Sequence, residues 1–328
     1  EIEPGAPRAR PWREVQPVMG PPTVLLVVAA LAAPAAGVRL QHGKLGNEAD
    51  CPVPPGFEIV KIKNSTLGNM SMAVRNWRKD VVSKFLKKKG FWEIRHPREL
   101  GELAGVSVPA TGTFLDIGAN LGWYTLIFAK AGYNVIAVEP MEGNRLAFET
   151  TLCLNPDIRE RVTLVGAALV APEDRNNECA LYATVGNEGN GILTCAANDS
   201  GLPCNTSMPA NGGTGGTCKK VPVRTLDALL QDLGIKSLDV VKMDIEGFEC
   251  NVLRGGQTLF NKFHVKLLQA ETKQKKVKAC FEKEAERHGY RMGSGVGHDQ
   301  NRVISSLFQD EDNELSDSVF VTLASPDV

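Results

Sequence analysis

The sequence predicts an α/β protein built on a doubly wound, mostly parallel sheet, and three observations carry that expectation. From residue 113 onward, short runs rich in Val, Ile and Leu alternate with helical patterns. Parallel strands read this way because crossover helices cover both faces of the sheet. The first of these strands runs into a Gly-containing turn, Asp116-Ile117-Gly118-Ala119-Asn120-Leu121-Gly122, that opens a helix. The second ends in an acid, Glu139, near the ~20-residue spacing expected of a ribose-binding carboxylate.

Each element follows from its pattern. TFLDIGAN (113–120) is the first strand and 123–131 its helix; NVIAVEP (134–140) is the second, followed by a helix over 141–154. VTLVGAALV (162–170), DVVKMDI (239–245) and VKLLQAET (265–272) are the third, fourth and fifth strands, with helices over 247–262 and 275–289. VFVTLA (319–324) reads as a last strand, an antiparallel edge. Ahead of this core, Trp77, Val81, Val82 and Phe85 mark a helix over 76–90. It ends in Lys87, Lys88 and Lys89 before Gly90, where cations favour the dipole and Gly closes the turn. Between the third and fourth strands, residues 186–218 are too long and too rich in Gly and Asn for an ordinary connection. They define an insertion, assigned to 174–220. Residues 38–75, with CPVPPG at 51–56, read as a linker or N-terminal cap.

Composition narrows the function classes. The 37 Lys and Arg balance 38 Asp and Glu, so a bulk electrostatic grip on nucleic acid or anionic lipid is not supported. With 6% aromatic residues, stacking platforms for single strands are not supported either. Residues 1–37 form a leader, in which TVLLVVAALAAPAAGV (23–38) follows Met19 without a charge. That run is short for a membrane span but suits a signal peptide, with small residues at Ala33, Ala35 and Gly37. Entry into the secretory pathway is the expectation; anchoring by 23–38 and a cytoplasmic location are the alternatives, and no stable membrane span is expected. Sequons at Asn64, Asn69, Asn198 and Asn205 fit secretion. Cys179, Cys195, Cys204 and Cys218 lack Cys-x-x-Cys spacing and read as two disulfides of open connectivity. Cys153, Cys250 and Cys280 read as buried thiols, and Cys51 has no evident partner.

The strand ends point to a nucleoside-bearing cofactor. Glu139 can accept hydrogen bonds from both hydroxyls of a ribose, in a dinucleotide or in S-adenosylmethionine. Gly118-x-x-x-Gly122 is not the Gly-x-Gly-x-x-Gly that pyrophosphate requires. Asp116 would repel a diphosphate, whereas it suits the ammonium of a methionine moiety. The loop therefore favours S-adenosylmethionine over NAD(P).

The set FLDIGANLGWYTL (114–126), VEP (138–140) with Asn144, and VKMDIEGFECNVLRGG (241–256) resembles the FkbM-type methyltransferases. Their late signature, K-x-D-x-E-G-x-E-x-x-V-L-x-G, is matched by Lys242, Asp244, Glu246, Gly247, Glu249, Val252, Leu253 and Gly255. Val221-Pro222 with Thr225-Leu226-Asp227 is similar to the segment preceding it in the family. The resemblance spans about residues 110–272. It implies a Rossmann-like methyltransferase domain over 76–328 and methyl transfer to an oxygen, often a hydroxyl of a sugar or metabolite. The expected cofactor shell is Asp116, Gly118, Ala119, Asn120, Gly122, Tyr124, Glu139 and Pro140. The Cys-rich insertion departs from the family pattern, where an acceptor could be gated.

A hydroxyl acceptor needs its proton removed, usually by a carboxylate or His within reach. Asp244 and Glu246, ending the fourth strand, are the expected catalytic pair. Their bland alternative is a helix cap with a first-turn acid. Glu271 is a weaker candidate, and two acids are thin support for a metal, so none is assigned. His264 and His288 read as structural. The acceptor is expected to be a small molecule or glycan. A nicotinamide oxidoreductase and a non-catalytic secreted binding module are the rival functions.

Overall fold

A computed structural model describes residues 50–64, 66–76, 80–175, 179–184, 187–195, 217–272, 274–294 and 320–325. The leader and the sequons at Asn198 and Asn205 lie outside the described residues. The chain enters as an antiparallel hairpin, β1 (Phe57–Asn64) and β2 (Gly68–Arg75), in the stretch read as a linker or cap. Helices α1 (Val81–Lys89) and α2 (Pro97–Ala104) follow. As the Lys run and Gly90 suggested, α1 stops at a left-handed Gly90, φ 74°; at its start the Asp80 carboxylate accepts from Ser83 N.

The doubly wound core then begins. β3 (Thr113–Ile117), α3 (Trp123–Lys130), β4 (Asn134–Val138), α4 (Glu142–Leu154) and β5 (Val162–Val165) form two consecutive crossovers. The apolar run 162–170 is not one strand. It leaves the sheet after Val165, and β6 (Ala168–Leu169) pairs in parallel with β10 (Val223–Arg224) instead. Between those two lies the insertion, a three-stranded antiparallel sheet in the order β8 (Asn187–Cys195), β7 (Cys179–Thr184), β9 (Thr217–Val221). Next come α5 (Leu226–Asp232), β11 (Val240–Met243), α6 (Glu249–Arg254) and α7 (Thr258–Asn261). The single helix expected over 247–262 is thus two short ones, separated by Gly255-Gly256, a pair of poor helix formers. β12 (Leu267–Glu271), α8 (Lys275–His288), β13 (Arg291–Ser294) and β14 (Phe320–Ala324) complete the described chain.

The main sheet has the order β13-β14-β12-β11-β3-β4-β5. β14 is antiparallel as expected, but it lies inside the sheet between β12 and β13, not at its edge. Alternation sends Phe114, Val240 and Leu267 into one core layer with Met72 of the hairpin and Phe128 of α3. Leu115, Val241, Met243 and Leu268 enter the other, with Leu229 of α5 and Phe281 of α8. The chain winds outward from β3 in both directions, so the switch point falls between β3 and β11, where such sheets bind ligands.

The cysteines correct the sequence reading. Cys51 is bonded to Cys153 and Cys250 to Cys280, so none of these four is a thiol. Within the insertion, Cys179 is bonded to Cys195 across β7 and β8, and Cys218 is disulfide-bonded too; Cys204 lies outside the described residues. No helix among the described residues is long and apolar enough to cross a membrane.

Candidate functional site

The turn after β3 is held to its neighbours on both sides. Gly118 and Ala119 donate their N–H groups to the Val138 carbonyl at 3.0 and 3.1 Å, while Asp244 N donates to the Ile117 carbonyl. Gly118 has φ +77°, and a Cβ there would lie 1.9 Å from the Asp244 carbonyl oxygen. Only glycine lets the ends of β3 and β11 approach this closely. Gly122 also has positive φ, but a Cβ on it would meet the Phe148 ring at 2.6 Å. Its constraint is therefore packing of α3 on α4, rather than contact with the cofactor.

Glu139, expected at the ribose, ends β4 facing this turn. One carboxylate oxygen accepts from Asn120 N and the other from Met141 N, both at 2.8 Å. Burial pushes its pKa up to about 7, against the hydrogen bonds from Met141, Asn120 and Asn144 and the nearby Arg145 charge. The two residues face a common cleft with Gly118, Pro140 and Met141. Asn120 sits in the left-handed region, φ 51°, and its buried Oδ1 has no hydrogen-bond partner. A buried ionisable acid beside an unsatisfied amide oxygen is a cradle for hydroxyl and amine donors, which suits the adenosine and amino-acid ends of the expected cofactor. The far walls come from Asp244, Glu246 and Phe248 after β11, and from Leu181, Gly191 and Leu193 of the insertion. Leu181 and Leu193 pack with Met141 and Phe248, leaving an opening of about 90 Å³. That is below the ~300 Å³ at which ligand pockets usually begin.

Besides Gly122, three more expected cofactor residues do not line the cleft. Asp116 is fully buried, and its Oδ2 accepts from Thr125 N at 3.1 Å and Thr125 Oγ1 at 2.7 Å. It supports the start of α3 from below instead of meeting a methionine ammonium, and burial, only partly countered by Lys242, raises its pKa. Ala119 is buried within the turn. The Tyr124 hydroxyl donates to Glu93 at 2.7 Å, and burial followed by the Glu93 charge raises its pKa well above the usual value.

Lys242 is the residue that reading from sequence left without a role, although a lysine inside a central strand is itself a signal. Its buried Nζ donates to the Gly118 carbonyl at 3.1 Å and lies 3.3 Å from Asp244 Oδ2, 4.0 Å from Asp116 Oδ1 and over the Tyr124 ring. Burial disfavours its charge, but Asp244, Asp116 and Glu93 outweigh that and raise its pKa. One ammonium thus ties the cofactor turn to the proposed catalytic strand end.

The structure brings Asp244, Glu246 and Glu271 together: oxygen atoms of the three lie within 4.8 Å of one another, from the ends of adjacent strands. Neither Asp244 nor Glu246 caps the following helix. Its N-cap position, Phe248, makes no side-chain bond, and Glu249 instead fastens the preceding turn, its Oε1 accepting from Ile245 N and Gly247 N at 3.1 Å. Glu246 occupies a tight turn ahead of α6 with φ 55°, rather than the helix start expected for it.

A mostly parallel sheet with this glycine turn, buried acid and acidic strand end fits a Rossmann-like, S-adenosylmethionine-dependent methyltransferase. The methyltransferase FkbM domain profile matches residues 116–300. The chain belongs to the FkbM methyltransferase family, and its cofactor is S-adenosylmethionine. This bears out the expected cofactor and sets aside the nicotinamide alternative. Among solved structures, the chain is similar to the METTL16 methyltransferase domain at 12% identity and TM-score 0.40, covering 80% of this chain and 85% of that one. It is similar to the precorrin-6y C5,15-methyltransferase of Geobacter metallireducens at 12% identity and TM-score 0.34, covering 65% and 78%. The N-terminal domain of human METTL16 in complex with SAH shares 9% identity at TM-score 0.37, covering 80% and 87%. No curated protein matches the sequence significantly.

Proposed function

We propose that this enzyme methylates a hydroxyl oxygen of a sugar or small metabolite within the secretory pathway. The convergence of Asp244, Glu246 and Glu271 beside the cofactor turn is the observation that carries this reading. A hydroxyl, unlike a neutral amine, must lose a proton as it is alkylated, and clustered carboxylates supply an acceptor for it. The bound cofactor supplies an electrophilic methyl on a sulfonium. Glu139 and Asn120 would hold its nucleoside part, and Gly118 lets the turn close on it. Lys242 fixes Asp244 at the edge of the cleft, so that the acceptor oxygen is oriented by a carboxylate that does not swing. Asp244 or Glu246 would take the proton that the acceptor oxygen loses as it receives the methyl group.

The secretory reading draws support from the disulfides Cys51–Cys153, Cys179–Cys195 and Cys250–Cys280, which persist in oxidising compartments. Among the sequons, Asn69 is exposed on β2, whereas Asn64 donates its side-chain N–H to the Arg95 carbonyl. Isotope-labelled S-adenosylmethionine, offered with a panel of glycans and hydroxylated metabolites, tests the activity. An O-methylated product identified by mass supports the reading. Label confined to a nitrogen, or found only in RNA, overturns it.

A further inference from the structure

A second cavity, of about 570 Å³, lies beside the cofactor cleft and shares Pro140, Met141 and Leu181 with it. Its charge is one-sided. Arg75, Arg145, Lys219 and Lys220 line it, against the single carboxylate of Glu142. In a chain whose charges nearly balance overall, such a concentration needs a reason. Arg75 is only 7% exposed and already has the buried Asp80 carboxylate 3.7 Å away, so the remaining positive charge of the wall comes from Arg145, Lys219 and Lys220. The four cations also come from separate parts of the fold: the hairpin, the first turn of α4 and strand β9 of the insertion. A Cβ at Gly143 on the same wall would meet nothing within 4 Å, so the space at this helix start is open.

We infer that this cavity binds the anionic group, a carboxylate, sulfate or phosphate, of a ligand about the size of a sugar ring. The volume falls within the range of small-molecule pockets, and guanidinium groups match the planar or tetrahedral oxygens of such anions. The existing contacts fit an exchange of partners. Lys219 is bonded to Glu142 at 2.7 Å, and both side chains are well exposed. Arg145 donates to the carbonyls of Glu139 and Pro140, and Arg75 donates to Asn144, which in turn bonds to Glu139. The proposal does not rest on the methyl-transfer reading, because none of Asp244, Glu246 and Glu271 lines this cavity.

The test is a calorimetric titration of the whole disulfide-bonded protein, without cofactor, using N-acetylglucosamine 6-sulfate, glucuronic acid and inorganic sulfate as probes. We expect saturable binding of at least one sugar-borne anion, at least tenfold tighter than inorganic sulfate and weakened by added salt. Lys219→Glu combined with Lys220→Glu should weaken it at least tenfold, whereas Glu142→Gln should tighten it several-fold by removing the competing carboxylate. Opposite signs in two exposed-site variants do not arise from misfolding, and retained S-adenosylhomocysteine binding in both confirms their fold. No saturable binding of either sugar anion, or equal affinity in all three proteins, overturns the proposal. Either result leaves methyl transfer untouched.

Discussion

Asn120 N donates to the Glu139 carboxylate at 2.8 Å, so the turn after β3 and the acid after β4 are one hydrogen-bonded unit. The two segments meet only because β3 and β4 are adjacent parallel strands in register, with Ile117 opposite Val138. The turn and the acid are thereby held in place together at the sheet's carboxyl end. The cost is a carboxylate withdrawn from water, visible in its raised pKa.

That raised pKa sets a pH dependence. Ribose hydroxyls donate best to an ionised carboxylate, and Glu139 titrates near 7 in place of 4.5. Below pH 7 the group carries a proton that must leave on binding. S-adenosylhomocysteine affinity should therefore fall about tenfold per pH unit from 7 down to about 5 and be flat above 8. Calorimetry in buffers of differing ionisation enthalpy should find proton release at pH 6. Glu139→Gln should bind more weakly and lose the pH dependence; a flat profile in the wild type would disprove the assignment.

Gly118→Ala should be poorly tolerated. The new Cβ meets a backbone oxygen, the Asp244 carbonyl, at a positive φ, so both strand ends must shift. A loss of about 3 kcal/mol or more in urea unfolding is expected, together with lost cofactor binding. A change below about 1 kcal/mol would show that the turn is looser than described.

The two disulfides outside the insertion should differ in worth. Cys51–Cys153 closes a separation of 102 residues and Cys250–Cys280 one of 30. On the chain-entropy account their removal costs about 4–5 and about 3–4 kcal/mol respectively. Paired Cys→Ala variants compared by denaturant unfolding should keep that order. The reverse order would mean that the unfolded chain is constrained some other way.

The parts of the fold legible in sequence were those that local pattern dictates. β3, β4, β11 and β12 are buried on both faces, so they stand out as apolar runs, and the Gly turn with Glu139 follows from them. The hairpin was not legible, because β1 is largely solvent-facing, with only Ile62 fully buried, and reads as polar linker. Cys153 and Cys250 sit in helical patterns whose partners lie 102 and 30 residues away, a relation that spacing does not encode. Asp116 and Tyr124 matched the motif but turned inward, because strand alternation and the first turn of α3 point them at Thr125 and Glu93. The third acid, Glu271, joins the cluster through lateral pairing of β11 with β12, which no single segment reveals.

The mechanism makes separable demands on Asp244 and Lys242. With the acceptor found in the labelling screen, Asp244→Asn should lower turnover by roughly 10²–10⁴-fold, the share of a positioned proton transfer. Cofactor affinity should change little, because the proposal assigns the carboxylate to the acceptor, and folding should survive because Glu249, not Asp244, fastens the turn into α6. Lys242→Met should behave differently. It releases the Gly118 carbonyl as well as Asp244, so it should weaken S-adenosylhomocysteine binding and lower turnover together. If the two residues act as one clamp, the double variant should lose little more turnover than Lys242→Met alone. Full activity in folded Asp244→Asn protein would remove it as the base and leave Glu246 and Glu271 for the role. Lost cofactor binding in that variant would instead assign Asp244 to the cofactor.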